Sequence, residues 1–348
     1  MHSHEYYMQR CLELAANGLG KVAPNPMVGC VIVRNGHIIG EGWHEQYGGP
    51  HAEVNAIRKV ADERQLTEAT LYVSLEPCAH QGKTPPCTDL IIEKNIPYVV
   101  VACLDENPLV KGKGIQKLIL HGVDVKVGVL EHEAQVLNKR FFTSITKHRP
   151  YIILKWAQSS DGFIDHNRDE KDGRAIISSP ESHLLVHQWR SEEAAIMVGT
   201  NTVIADDPRL TVRLTEGKNP VRVSFDRNQR IPETAKIFDG TSPTLIFTDG
   251  PHYSTDRCEF IPIDFAHNPL GQAMEILNEK KLQSVLVEGG AALLNKFLEQ
   301  GLWDEARVFV AEKKIGSGVK APDMKEVHHS EEVVGGDKLF TYYRKGDW

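Results

Sequence analysis

The chain has 348 residues, 41% hydrophobic and 25% charged, long enough for two domains that each bury a core of their own. The formal net charge of -7 argues against a protein that grips long polyanions, because such proteins carry a basic surplus. No stretch approaches the roughly 18 apolar residues of a membrane span, and no charged segment followed by an apolar run opens the chain, so no membrane association and no secretory signal are expected.

The first part alternates strand and helix. Residues 28–33 predict a strand, and Arg34-Asn35-Gly36-His37 is a two-residue hairpin turn into a second strand over 38–43. A helix is expected from about 51 to 64, with Val54, Ile57 and Ala61 at helical spacing. Residues 70–74 read as a strand, 88–94 as a helix, 98–103 and 123–127 as strands, and 131–145 as a helix.

Lys147-His148-Arg149-Pro150 marks the expected boundary, since the residue before a proline resists helix. It divides the chain into domains 1–146 and 147–348. In the second part, residues 151–156 predict a strand. Ser178-Ser179-Pro180-Glu181 predicts a helix start with proline in the first turn and a capping-box glutamate. Strands are expected at 194–198, 221–225, 244–247 and 284–287. A helix follows at 291–300, then strands near 305–310 and 339–344.

The six cysteines lack the spacing of a disulfide scaffold, so a reduced, cytoplasmic protein is expected. Cys11, Cys30, Cys103 and Cys258 read as small buried apolar residues. Cys78 and Cys87 differ. With His51 they form a His-x-Glu plus Pro-Cys-x8-Cys pattern, His51-Ala52-Glu53 and Pro77-Cys78 to Cys87. One histidine and two cysteines give three ligands, which leaves a tetrahedral Zn2+ one position for water. Such a water titrates near pH 7, and Glu53 is placed to shuttle its proton to a ring nitrogen and a leaving ammonia. His51 and Glu53 stand two apart and cannot share a helix face, so His51 is expected in the first turn. Cys87 is expected to open the following helix as a thiolate favoured by the macrodipole. A structural zinc would need a fourth ligand, for which His80 is the obvious candidate.

Asn25, His44, His80 and Lys83 form a second layer of candidates. An asparagine amide can both donate to and accept from a base edge, and Lys83 could meet a phosphate or a substrate oxygen. Asn25-Pro26 could equally be turn chemistry.

Asn25-Pro26-x-Val28-Gly29, His51-Ala52-Glu53 and Pro77-Cys78-x-His80-x-Gly82-Lys83-Thr84-Pro85-Pro86-Cys87 together resemble the bifunctional riboflavin-biosynthesis deaminase/reductases, over nearly the whole chain. Asp105-Glu106-Asn107-Pro108 follows that family's loop, with Glu106 where proline is usual. The resemblance implies an α/β chain with a cytidine-deaminase-like amino-terminal domain and a dihydrofolate-reductase-like carboxy-terminal domain. It implies loss of the 2-amino group of 2,5-diamino-6-(ribosylamino)pyrimidin-4-one 5′-phosphate as ammonia. NADPH then reduces the ribosyl chain of 5-amino-6-(ribosylamino)uracil 5′-phosphate to ribityl. Substrate contacts in the first step fall on Asn25, His44, His80 and Lys83, with Asp105 and Asn107 added.

Read from its residues, the second half says less. It lacks a Gly-x-Gly-x-x-Gly after a strand. Val287-Glu288-Gly289-Gly290 opens a helix and could approach a phosphate or simply pack closely. Lys155, a charge in an apolar run, either lines a site or points to solvent, and Asp206-Asp207-Pro208 is a site loop or a turn. The resemblance selects the functional readings. It places NADPH against Ala157, Ile176, Thr202, Asp206 and the run Gly290, Ala291, Ala292, Leu293, Leu294, Asn295 and Lys296. It places the sugar-phosphate substrate against Arg174, Arg190, Leu210, Arg213 and Glu288, with Lys155 polarising or protonating the ring-opened sugar. Ile176 stands where the family often has tryptophan, and Arg174 where it often has a smaller residue. A homo-oligomer, dimer or tetramer, is what the resemblance suggests. The alternatives are a deaminase with a silent reductase domain, another zinc nucleobase deaminase, and a binding protein with a structural zinc.

Overall fold

A computed structural model describes residues 2–80, 85–108, 110–167, 173–250 and 254–344. The chain forms two compact units, residues 1–148 and 149–348.

In the first unit the elements run α1 His4–Ala16, β1 Gly29–Arg34, β2 His37–Trp43, α2 Ala52–Arg58, β3 Thr70–Leu75, α3 Cys87–Glu93, β4 Tyr98–Cys103, α4 Lys113–Leu120, β5 Asp124–Val127, α5 Glu131–Leu137 and α6 Lys139–Lys147. The strand order is β2-β1-β3-β4-β5. β1 runs antiparallel to β2 and β3, and β3, β4 and β5 are parallel. The β1–β2 turn has Asn35 and Gly36 both at positive φ, the hairpin geometry their sequence requires.

Cys30, Ile32, Leu71, Val73, Val99 and Val101 form the sheet side of a core closed by Ala56 and Ile57 of α2, Ile91 of α3 and Leu118 of α4. Helix α2 lies against β2 at glycine distance. A Cβ at Gly40 or Gly42 would come within 2.6 Å of the Ala56 backbone. This close approach fixes the helix whose start carries His51 and Glu53. Helix α1, read neither as helix nor as strand above, seals the opposite face, where a Cβ at Gly29 would meet the Cys11 carbonyl. Its signal is present in the sequence, with Ser3 accepting from the Tyr6 amide as N-cap and Tyr7, Met8, Cys11, Leu12 and Ala15 buried at helical spacing.

Two expected helices are broken. The run 51–64 leaves the helix after Arg58, and Asp62 then accepts from the Arg64 amide to start a 3-10 turn over Glu63–Glu68. The run 131–145 divides at Asn138, whose side chain donates to the Met27 carbonyl at 2.9 Å and accepts from the Met27 amide at 2.8 Å. A long-range pair of hydrogen bonds there overrides local helical periodicity.

The second unit runs β6 Tyr151–Ser159, β7 Phe163–Asp165, α7 Pro180–Glu192, β8 Ala195–Val198, α8 Thr200–Asp206, β9 Val221–Phe225, β10 Thr244–Thr248, β11 Cys258–Pro262, α9 Pro269–Glu279, β12 Ser284–Val287, α10 Ala291–Glu299, β13 Glu305–Ala311, β14 Val319–Lys320, β15 Ser330–Val334 and β16 Asp337–Tyr343. Nine strands are ordered β11-β10-β9-β8-β12-β6-β13-β16-β15. The first seven are mutually parallel, and β16 runs antiparallel to its neighbours β13 and β15. Ile152, Leu154, Met197, Val223 and Phe247 pack beneath α9 and α10. Tyr151, Ile153, Leu286 and Phe309 pack beneath Val186 and Trp189 of α7. The sheet is thus covered on both faces, as a parallel sheet requires.

Helix α7 starts at Pro180 as expected, but the capping box does not form. Ser179 accepts from the Ser182 amide, and Glu181 lies one position short of the reciprocal site. Helices α8 and α9 and strand β11 were not anticipated. Helix α9 has a legible start in Asn268-Pro269, where the Asn268 side chain accepts from the Gly271 amide. Among the described residues no helix is long and apolar enough to cross a membrane.

Candidate active sites

In the first unit His51 is the N-cap of α2, not a first-turn residue, and its backbone is extended. That conformation, outside the helical register, lets both His51 and Glu53 face one cavity. Cys78 follows β3 and Cys87 opens α3. His51 Nδ1 lies 3.3 Å from Cys87 Sγ and 3.6 Å from Cys78 Sγ. Tetrahedral zinc with ordinary Zn–N and Zn–S bonds sets nitrogen and sulfur about 3.5 Å apart, so the donor set fits zinc as it stands. The three donor atoms lie within 4.8 Å of one another, and among the described residues no further histidine, cysteine or carboxylate joins them. His80 is not a fourth ligand, which leaves the coordination open.

The Cys87 thiol and then His51 hydrogen-bond to Cys78 and bring its thiol down to about 4. The same bond and burial push Cys87 well up. The amide of Cys87, at the start of α3, donates to the Cys78 sulfur at 3.3 Å. That backbone donor favours a thiolate at Cys78. Glu53 is 3% exposed. Burial first, and the charge of Cys78 second, raise its carboxyl to about 7, a value suited to exchanging protons near neutrality.

A cavity of about 350 Å³ brings together Asn25, His44, His51, Glu53, Cys78, His80, Asp105 and Asn107. His44 is 3% exposed. Its Nδ1 lies 3.0 Å from the Pro50 carbonyl and its Nε2 3.0 Å from Asn25 Nδ2. Lys83 lies outside the described residues. Tyr47, Glu76 and Phe141 also line the cavity and were not anticipated; Phe141 comes from α6, far from the motif in sequence.

In the second unit the carboxyl ends of β6, β8 and β12 open onto a cleft of about 560 Å³, the usual ligand position of an open parallel sheet. Lys155, Ala157, Arg174, Ile176, Thr202, Asp206, Glu288, Gly290, Ala291 and Leu294 line it. Lys155, left undecided by the sequence, faces this cleft, and burial lowers its pKa against the opposing pull of Glu288. An adjoining groove of about 300 Å³ shares Thr202 and Gly290 and adds Ala292, Leu293 and Lys296, with Arg227 and Arg230 at its margin. Gly289 has φ +114, a conformation open to glycine, and a Cβ at Gly290 would come 3.0 Å from Thr202 Oγ1. The two glycines thereby keep the start of α10 open to a phosphate, and the cleft and groove together suit an extended dinucleotide such as NADPH.

Arg190 meets Glu288 through two hydrogen bonds of 2.7 Å each, and its Nη1 donates to the Thr211 carbonyl at 3.3 Å. Arg213 donates to the same carbonyl at 3.2 Å. Burial raises the Glu288 carboxyl. The charge and hydrogen bonds of Arg190, with Lys155 and His187, outweigh burial and bring it to about 2. Arg190, Leu210, Arg213 and Asn295 are not on the walls of either cavity. Leu210 is packed with Ile196, Val198 and Val203 in the core, which leaves only its backbone for a substrate. Ser178 and His183 line the cleft and were not anticipated.

A family model described as the cytidine and deoxycytidylate deaminase zinc-binding region matches residues 1–103, and one described as the RibD C-terminal domain matches residues 150–331. The chain is 43% identical to the riboflavin biosynthesis protein RibD of Aquifex aeolicus over 91% of this chain and 89% of that one. Among solved structures, Acinetobacter baumannii RibD superposes with a TM-score of 0.88 at 36% identity, covering 98% of each chain. The Thermotoga maritima diaminohydroxyphosphoribosylaminopyrimidine deaminase/5-amino-6-(5-phosphoribosylamino)uracil reductase gives 0.84 at 38% identity, covering 97% of each. The chain belongs to the RibD family of riboflavin-biosynthesis enzymes, with a zinc-dependent deaminase and an NADPH-dependent reductase in one polypeptide.

Proposed function

We propose that the first unit deaminates 2,5-diamino-6-(ribosylamino)pyrimidin-4-one 5′-phosphate and that the second reduces the ribosyl chain of the resulting uracil to ribityl. The observation that carries the first assignment is a three-donor metal site with a buried carboxyl beside it, in a cavity edged by amide and carboxylate side chains. Zinc supplies a water acidic enough to attack a ring carbon at neutral pH. With zinc bound, Glu53 Oε would carry one proton of that water to the ring nitrogen and, once the hydroxyl has added to the ring carbon, the second to the leaving amine. Asn25, His80, Asp105 and Asn107 hold the base edge, and Lys83 the phosphate. His44 keeps Asn25 in place through their 3.0 Å contact.

NADPH supplies the hydride of the second step. Lys155 Nζ, in the cleft with Glu288, donates a proton to the ring-opened sugar. Ala157, Ile176, Thr202, Asp206 and residues 290–296 hold the cofactor. Arg174 and Arg213 bind the phosphate, and Arg190, two of whose donors face Glu288, orients that carboxylate toward the sugar. The substrates are small phosphorylated pyrimidines. The enzyme works in the cytoplasm as a homo-oligomer, without nucleic acid or membrane partners. Ammonia release without NADPH, followed by NADPH oxidation on its addition, tests both assignments.

A further inference from the structure

Glu76 has no part in the chemistry above, yet its surroundings are those of a working residue. It is 5% exposed and stands between the end of β3 and Cys78. One carboxylate oxygen accepts from the amides of Gly114 at 2.8 Å and Ile115 at 3.3 Å. The other accepts from the amides of Gly112 at 2.9 Å and Asp105 at 3.3 Å. Four backbone donors thus converge on one side chain from 29 to 39 residues further along the chain. They span both ends of the segment 105–115, which supplies Asp105, Asn107 and Val110 to the wall of the deaminase cavity.

The segment is drawn in tightly. A Cβ at Gly114 would come 2.0 Å from the Pro77 carbonyl, so its backbone lies directly on the residue before Cys78. Within the segment Asp105 accepts from the Asn107 amide at 2.8 Å, and Lys111 pairs with Glu106 at 2.7 Å. Only a carboxylate satisfies four converging N–H groups, because both of its oxygens accept; a glutamine would turn its own N–H donors toward two of them.

We infer that Glu76 is a positioning residue for deamination. Its carboxylate ties the loop bearing Asp105 and Asn107 to the strand end that leads into the metal ligand Cys78, and so sets where that loop meets the pyrimidine. Glu76 lies on the cavity wall, but both of its carboxylate oxygens are taken up by backbone amides; it acts through Asp105 and Asn107. This rests on the deaminase reading, and the test separates the two.

The test uses the full-length, zinc-loaded protein. Wild-type ammonia release from the diaminopyrimidine phosphate is measured first; its absence would remove the deaminase reading itself. With that activity present, Glu76→Gln is expected to keep its zinc and its reductase turnover. Its deaminase KM is expected to rise roughly ten-fold, with kcat changed less, as for loss of loop contacts worth a few hydrogen bonds. Asn107→Ala, costly alone, is expected to cost little more in the Glu76→Gln background, because residues that act in series are not additive. Should Glu76→Gln fail to fold, Glu76→Asp is read the same way, since it keeps the charge but withdraws it by one methylene. Unchanged KM overturns the inference, as does loss of zinc, which would place the effect on Cys78, or full additivity with Asn107→Ala.

Discussion

Arg190 on α7 and Glu288 at the end of β12 face each other fork to fork, each of the two N–H···O contacts at 2.7 Å and both side chains nearly buried. The pair joins the helix over the sheet to the strand end at the floor of the reductase cleft. Removing one partner leaves the other charged and buried. Arg190→Ala is expected to destabilise the protein by about 3–5 kcal/mol and to lower reductase activity. Arg190→Lys should fall short of wild type, because an ammonium cannot reproduce the bidentate fork. Denaturant unfolding of the three proteins checks the order.

The same pair predicts a pH dependence. The folded Glu288 carboxyl sits at about 2, below its ordinary 4.5. Its contribution is therefore fully present above about pH 4.5 and lost as pH falls toward 2. Glu288→Gln should flatten that acid limb in unfolding measurements between pH 2 and pH 5. An acid limb identical to wild type would show that the pair contributes nothing.

The two activities should separate on metal removal. Chelation, or His51→Ala, is expected to abolish ammonia release while NADPH oxidation with the aminouracil phosphate continues. Zinc content measured beside both activities checks this. Deaminase turnover in metal-free protein would refute the catalytic role of the site.

Glu53→Gln should retain zinc and lose roughly 10²–10⁴-fold in deaminase kcat, the usual worth of a positioned acid–base group. Lys155→Met should show a loss of similar kind in the reductase, with NADPH binding preserved. Reductase kcat within a few-fold of wild type would remove Lys155 from the mechanism.

Ile176 is 67% exposed at the edge of the cleft. An aromatic side chain there would give the cofactor a stacking surface worth about 1 kcal/mol. Ile176→Trp is accordingly expected to lower the KM for NADPH several-fold, measured by initial rates.

Much of the first site is legible because its ligands lie in one stretch, and hairpin glycines and helix caps mark the elements around them. What escapes the sequence depends on distant partners. Asn138 breaks a periodic helix because it bonds Met27, 111 residues away. Phe141, on the helix that follows the break, lines the cavity. The Cys78 sulfur accepts from the Cys87 amide, nine residues on, only because α3 starts beside the end of β3. In the second unit Lys155 and the Gly-Gly pair are ambiguous in one dimension. They acquire meaning only when parallel pairing sets β6 beside β12 and brings Lys155 and Glu288 to one cleft. Ser178 reads in sequence only as part of a helix start and His183 carries no motif; both show as cleft residues only in the fold.

The most direct test of the central claim, two activities in one chain, is a two-stage assay on purified, zinc-loaded protein given the diaminopyrimidine phosphate. Ammonia is followed first without NADPH, then the absorbance of NADPH after its addition. Ammonia is expected in the first stage and NADPH oxidation in the second. No ammonia would contradict the substrate assignment, and ammonia without NADPH oxidation would contradict the reductase.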